Sequence, residues 1–180
     1  MKLNFAGLFI CLIAFASCSS DSNTNTNIIT VNQEIKQLAK PFSDLERADT
    51  FKVTLSGSKP KNMVLAFSII SFEGKEIYHK NFSAAELVDH YKETVDLKKE
   101  ADQLSFIKSE FDAFLDEENF LEPAVTETEE PSKQVPDKAF FQELKNSGVN
   151  GFQYRTGQEN KVYIAWSSKE KKVKVYYKCC

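Results

Sequence analysis

Hydrophobic and polar positions divide this chain into segments with different periods. Phe51, Val53 and Leu55 alternate with Lys52, Thr54 and Ser56, the pattern of a half-buried strand. Met63 to Phe72 is almost wholly apolar and reads as a central strand covered on both faces. Gly57-Ser58-Lys59-Pro60 is the turn before it, and Glu73-Gly74-Lys75 leads to a further strand at Glu76–Phe82. Ser83 and Glu86 form a capping box for a helix that buries Leu87, Val88 and Tyr91. Leu97, Ala101, Leu104, Ile107, Phe111 and Phe114 recur at helical steps, so a longer helix is expected from about Asp96 to Glu117.

Both ends of this block carry further elements. Val31, Ile35 and Leu38 have helical spacing after a Thr30/Gln33 capping box, so a short helix is expected over Thr30–Ala39, stopped by Pro41. Asp137 caps a helix containing Phe140, Phe141 and Leu144, which ends at Gly148. Three strands close the chain at Gly151–Arg155, Lys161–Ser167 and Lys171–Lys178. Runs of strands and runs of helices give an α+β fold, expected as one antiparallel sheet of about six strands with helices on one face.

Residues 116–130 hold seven acids and no base, with prolines at 123 and 131, and an acidic solvated loop is expected over 116–136.

Strict alternation in the last three strands puts Phe152, Tyr154, Val162, Ile164, Trp166, Val173, Val175 and Tyr177 on a core face. The other face then carries Arg155, Tyr163, Lys172, Lys174, Tyr176 and Lys178. Residues 152–178 hold seven bases and two acids in a chain of formal net charge -3. Arg155, Tyr163, Lys172, Lys174 and Tyr176 are therefore the candidate ligand-binding face, since Arg and Tyr are residue types that make binding hot spots. The acidic loop is a candidate gate over it. Lysines on an exposed sheet face also serve solubility alone.

The first residues add an address. Met1-Lys2 precedes an apolar run from Leu8 to Phe15, then Phe15-Ala16-Ser17-Cys18, then the polar stretch Ser19–Asn27. The apolar run is too short for a span, which needs roughly 20 apolar residues. Phe15-Ala16-Ser17-Cys18 resembles the lipobox of bacterial lipoproteins, although Phe15 stands where the family more often has Leu. That resemblance implies removal of residues 1–17 and a diacylglycerol thioether on Cys18, with an acylated amino group. It implies a cell-envelope protein held on the membrane by its N-terminal lipid. By resemblance to Gram-negative lipoproteins, Ser19 after the cysteine argues against retention at the inner membrane and so implies the outer membrane, facing either the periplasm or the cell surface. Residues 18–27 are then a polar tether and 28–180 a single globular α+β domain. The nine residues after Cys18, as a coil, span only roughly 15 to 18 Å on average.

Removal of the signal takes Cys11 and lipid takes Cys18, which leaves Cys179 and Cys180 as a candidate redox pair. Export permits disulfides. Adjacent cysteines are awkward partners, since a trans peptide holds their Cα atoms about 3.8 Å apart. A vicinal bridge, an intermolecular bridge, and thiols kept reduced or bound to metal all remain open. Glu86, His90 and Glu93 form one stripe, which reads as a solvated helix face with charge pairs. No metal site, cofactor or nucleic-acid partner is indicated, and no catalytic motif is found. The function classes left are a non-enzymatic envelope binding module for a protein or an anionic polymer, an inhibitor or immunity-like protein of an envelope enzyme, and a small envelope hydrolase with acid/base carboxylates.

Overall fold

Two four-stranded antiparallel meanders build the domain, and three helices fill the space around them. The structure, a computed structural model, describes residues 33–179. The signal, Cys18, the tether and Cys180 lie outside them. The first sheet runs in chain order through β1 (Gln33–Pro41), β2 (Ala48–Ser56), β3 (Val64–Ile70) and β4 (Glu76–Ser83). The second runs through β5 (Phe120–Leu121), β6 (Gly151–Arg155), β7 (Lys161–Ser167) and β8 (Lys172–Cys179). Between the meanders lie α1 (Ala84–Tyr91) and α2 (Glu100–Ala113), and α3 (Lys138–Ser147) precedes β6.

The α+β class holds, but the sheet is divided in two. Phe152 of β6 lies 5.1 Å from Phe51 of β2 and 5.1 Å from Phe67 of β3, centroid to centroid. The apolar faces therefore stack, which removes both from water at once. Phe51 also meets Phe42 and Phe120 at 5.3 and 5.0 Å. Each such pair contributes roughly 0.5–1.5 kcal/mol beyond its buried area. The expected helix over Thr30–Ala39 is instead strand over its described part: β1 pairs along its whole length with β2, from Gln33 opposite Ser56 to Pro41 opposite Ala48. That ladder satisfies the backbone as a short helix would, while Leu38 reaches the core and Ile35 stays half exposed at 52 %. β3 is central but alternates. Leu65, Phe67 and Ile69 are buried, and Val64, Ala66, Ser68 and Ile70 are only half-buried.

The helices do not share one face. Ile107 and Phe111 of α2 join the core between the sheets, whereas Phe140, Phe141 and Leu144 of α3 pack on the far side of the second sheet. As expected, the Ser83 hydroxyl caps α1 by accepting from the Glu86 amide, and the Asp137 carboxylate caps α3 by accepting from the Phe140 amide. Gly148 ends α3 in the left-handed region at φ 62°. α2 is shorter than its periodicity suggests. Leu97 is buried ahead of it, and its carbonyl accepts from the Gln103 side chain at 2.8 Å. Asp49 is the buried acid of the first sheet: its two oxygens accept from the Ser43 and Phe72 amides at 2.6 and 2.8 Å, pinning two connections to β2.

The acidic segment is more ordered than a solvated loop. Its Phe120 and Leu121 form β5 on the edge of β6, and Ala124 and Val125 are buried against the second sheet beside Tyr176.

Candidate functional site

The face expected to be open is a second core. Tyr176 is only 3 % exposed and donates its hydroxyl to the Ala124 carbonyl at 2.9 Å. Tyr163 packs edge-on to Tyr176 and Tyr177 at 6.0 and 5.1 Å. Lys174 lies 4.7 Å over the Phe140 ring, bonds Asp137 at 2.9 Å and also pairs with Glu170. Lys172 is exposed and pairs with Glu170 at 2.7 Å. The acidic segment does lie over this face, but through Ala124, Val125 and Val135 rather than through its charges. Apolar side chains between the lysines supplied the burial: Ala165 is wholly buried there with Leu144. Of the five candidate residues, Arg155 and the exposed Lys172 stand apart from this core.

A β-bulge explains where a different site arises. Tyr163 pairs with Tyr177, yet Ile164 pairs with Val175, so β8 carries one extra residue at Tyr176. An extra residue reverses the alternation beyond it. Tyr177 thus joins Tyr176 and Tyr163 in the second core. Lys178 falls opposite Val162, on the side of Tyr154, instead of beside Lys174.

Lys178 thereby lines an open groove of about 810 Å³ between β4 and the ends of β6, β7 and β8. Tyr78 and Lys80 come from β4, Tyr154 from β6, Lys161 and Val162 from β7, and Val175 and Lys178 from β8. Thr156 and Asn160 close the β6–β7 hairpin at its mouth, the Thr156 amide donating to the Asn160 carbonyl at 2.9 Å. The side chains of Lys80, Lys161 and Lys178 make no ion pair or hydrogen bond among the described residues, and no acid lines the groove. By contrast, the groove at the opposite end of the sheets mixes Asp44, Glu73 and Glu76 with Arg47, Lys75, Lys171 and Lys172. Its three acids offset most of its four bases, whereas the lysine groove has no acid to set against its bases. Cys179 also lines the lysine groove and is disulfide-bonded.

On the other side of Tyr154 lies a smaller cleft of about 100 Å³. Leu65, Phe82, Leu87 and Phe114 make its apolar walls, and Glu110, Ala113, Glu118, Asn119 and Arg155 stand around it. The Asn119 amide donates to the Ala113 and Phe114 carbonyls, both at 3.2 Å, and so fixes the end of α2 at the rim. Burial raises the pKa of Glu110, and the charge of Arg155 offsets part of that rise. Tyr154 separates cleft from groove. Its hydroxyl hydrogen-bonds the Tyr78 hydroxyl at 2.6 Å, and burial keeps it protonated far above the ordinary tyrosine range.

Among the described residues, no three His, Cys, Asp or Glu side chains gather as a metal site, and no helix is long and apolar enough to cross a membrane. Fold and site together define a two-sheet α+β domain with an uncompensated basic groove beside a small apolar cleft. Comparison with protein-family models, curated proteins and solved structures finds no match for this chain.

Proposed function

We propose that this protein is a lipid-anchored lipoprotein of the cell envelope, most naturally of the outer membrane, whose domain is a non-enzymatic binding module for an anionic envelope partner. The lipobox-like Phe15-Ala16-Ser17-Cys18 supports the anchor. One observation carries the binding role: Lys80, Lys161 and Lys178 converge on one concave groove with no acid in its lining. Concave walls of low dielectric focus the field of such charges and draw an anion in. An envelope enzyme neutralised by this domain is one partner of that kind.

The carboxylates give a second reading, a small hydrolase, because Glu110 has a raised pKa and shares its cleft with Glu118. Space argues against it. The cleft holds about 100 Å³, whereas small-molecule sites usually offer roughly 300–1,000 Å³.

Two measurements test the proposal. Radiolabelled palmitate should enter the wild-type chain and not Cys18→Ala; labelling of both removes the anchor. Purified domain lacking the signal should be retained on a polyglutamate matrix and elute as salt rises. Reversing Lys80, Lys161 and Lys178 to Glu should abolish retention, while reversing the exposed Lys59, Lys61 and Lys75 should spare it. Equal loss in both triple variants would mean that overall charge, not the groove, does the binding.

A further inference from the structure

We infer that the partner is a protein segment that sets one aliphatic or aromatic side chain into the cleft and lays neighbouring acidic residues along the lysine groove. This rests on the binding role proposed for the groove and narrows its ligand. Three features select this occupant over other anions. The groove is concave, with the tyrosines Tyr78 and Tyr154 between its lysines, so it admits an extended chain and not a flat bilayer surface. The cleft adjoins it across Tyr154, which lines both. Tyr154, Arg155 and Thr156 are consecutive, so the two hollows lie within the reach of a few residues of a bound chain. The cleft has the volume of a single side chain: an engineered apolar cavity of about 150 Å³ takes one benzene. An anionic glycan or polyphosphate has no such group to offer. Anchors of this kind, seated in a desolvated pocket beside charged contacts, are where binding energy concentrates.

The test uses the domain without its signal and fluorescent oligoglutamate, alone or with one Leu added at either end. Fluorescence anisotropy should show one Leu peptide binding at least about tenfold tighter than plain oligoglutamate. Ala113→Leu, an exposed change at the end of α2 that fills the cleft, should erase that gain and leave oligoglutamate affinity unchanged. That unchanged affinity also shows that the variant folds. Oligoglutamate binding without any Leu gain, or a gain that survives Ala113→Leu, overturns the inference and spares the groove. Failure of every peptide, with no binding of phosphatidylglycerol vesicles either, overturns both. Binding of phosphatidylglycerol vesicles by a domain that ignores the peptides overturns the inference in favour of a lipid surface.

Discussion

The hydroxyls of Tyr78 and Tyr154 meet at 2.6 Å and so join β4 of the first sheet to β6 of the second. Among the described residues, no backbone ladder links the two sheets. With the Asn150 side chain, which donates to the Pro41 carbonyl at 3.0 Å, this bond gives direction to an interface made mainly by stacked side chains, which prefer certain distances but tolerate sliding. It also forms the wall between cleft and groove.

Removing both partners should cost less than the two single losses added together. Tyr78→Phe leaves the buried Tyr154 hydroxyl unsatisfied, and a loss of about 1–2 kcal/mol is expected. Tyr154→Phe should cost a similar amount. The double variant should then lose less than the sum of the two. Urea midpoints measure all three. Strict additivity would show that the hydroxyls do not act as a pair.

Glu110 should give the domain a pH-dependent weakness. Its carboxyl is raised by burial, with Arg155 opposing, and Tyr91 and Glu118 stand nearby. A raised acid favours folding in its neutral form. Its contribution is fully present below the ordinary glutamate value of about 4.3 and is lost as pH climbs through the raised value. Glu110→Gln should therefore raise Tm at about pH 7 and leave it unchanged near about pH 3.5. Scanning calorimetry at both pH values decides it, since an equal gain at each would point to packing instead.

Tyr176 should hold down the acidic segment. Its hydroxyl bond to the Ala124 carbonyl is buried, and its ring is wedged among Ala124, Val125 and Tyr163. Tyr176→Phe is expected to cost about 1 kcal/mol. Cleavage by a glutamate-specific protease at Glu127, Glu129 and Glu130 should quicken accordingly. An unchanged digestion pattern would show that the apolar contacts hold the segment without the bond.

Gly57 admits no replacement. It turns between β2 and β3 at φ 99°, and a Cβ there would stand 2.8 Å from the Asn62 carbonyl oxygen and 2.9 Å from the Met63 Cα. Both contacts are with backbone, which cannot swing aside. Gly57→Ala should lose about 1–3 kcal/mol, read as a lower urea midpoint.

Patterns that depend on near neighbours were legible in the sequence. The caps at Ser83 and Asp137 and the left-handed stop at Gly148 satisfy backbone groups only a few residues away. Alternation identified β2 and the three closing strands. What was not legible depends on distant chain. Val31, Ile35 and Leu38 fit a helical period, and only the presence of β2 alongside makes Gln33–Pro41 a strand. The candidate site failed for a related reason. A lysine alternating with apolar residues looks the same whether the intervening face meets water or a helix such as α3. The bulge at Tyr176 then moved Lys178 across the sheet, and strict alternation has no signal for that. Two tyrosines in succession, each large enough to belong in a core, were the available hint.

The stacking of the two sheets also sets an order of events. Phe51 and Phe67 face Phe152, and the chain reaches Phe152 only in its last thirty or so residues. A chain that emerges N-terminus first, from a ribosome or a translocation pore, must carry the first meander with its aromatic side covered only in part, by α2, Phe114 and Phe120, until β6 arrives. Exposed apolar faces of this kind are what aggregate during folding. The cell must therefore shield this protein for nearly its whole length before it can close, and truncations near the C-terminus should be found in inclusion bodies rather than as smaller soluble domains.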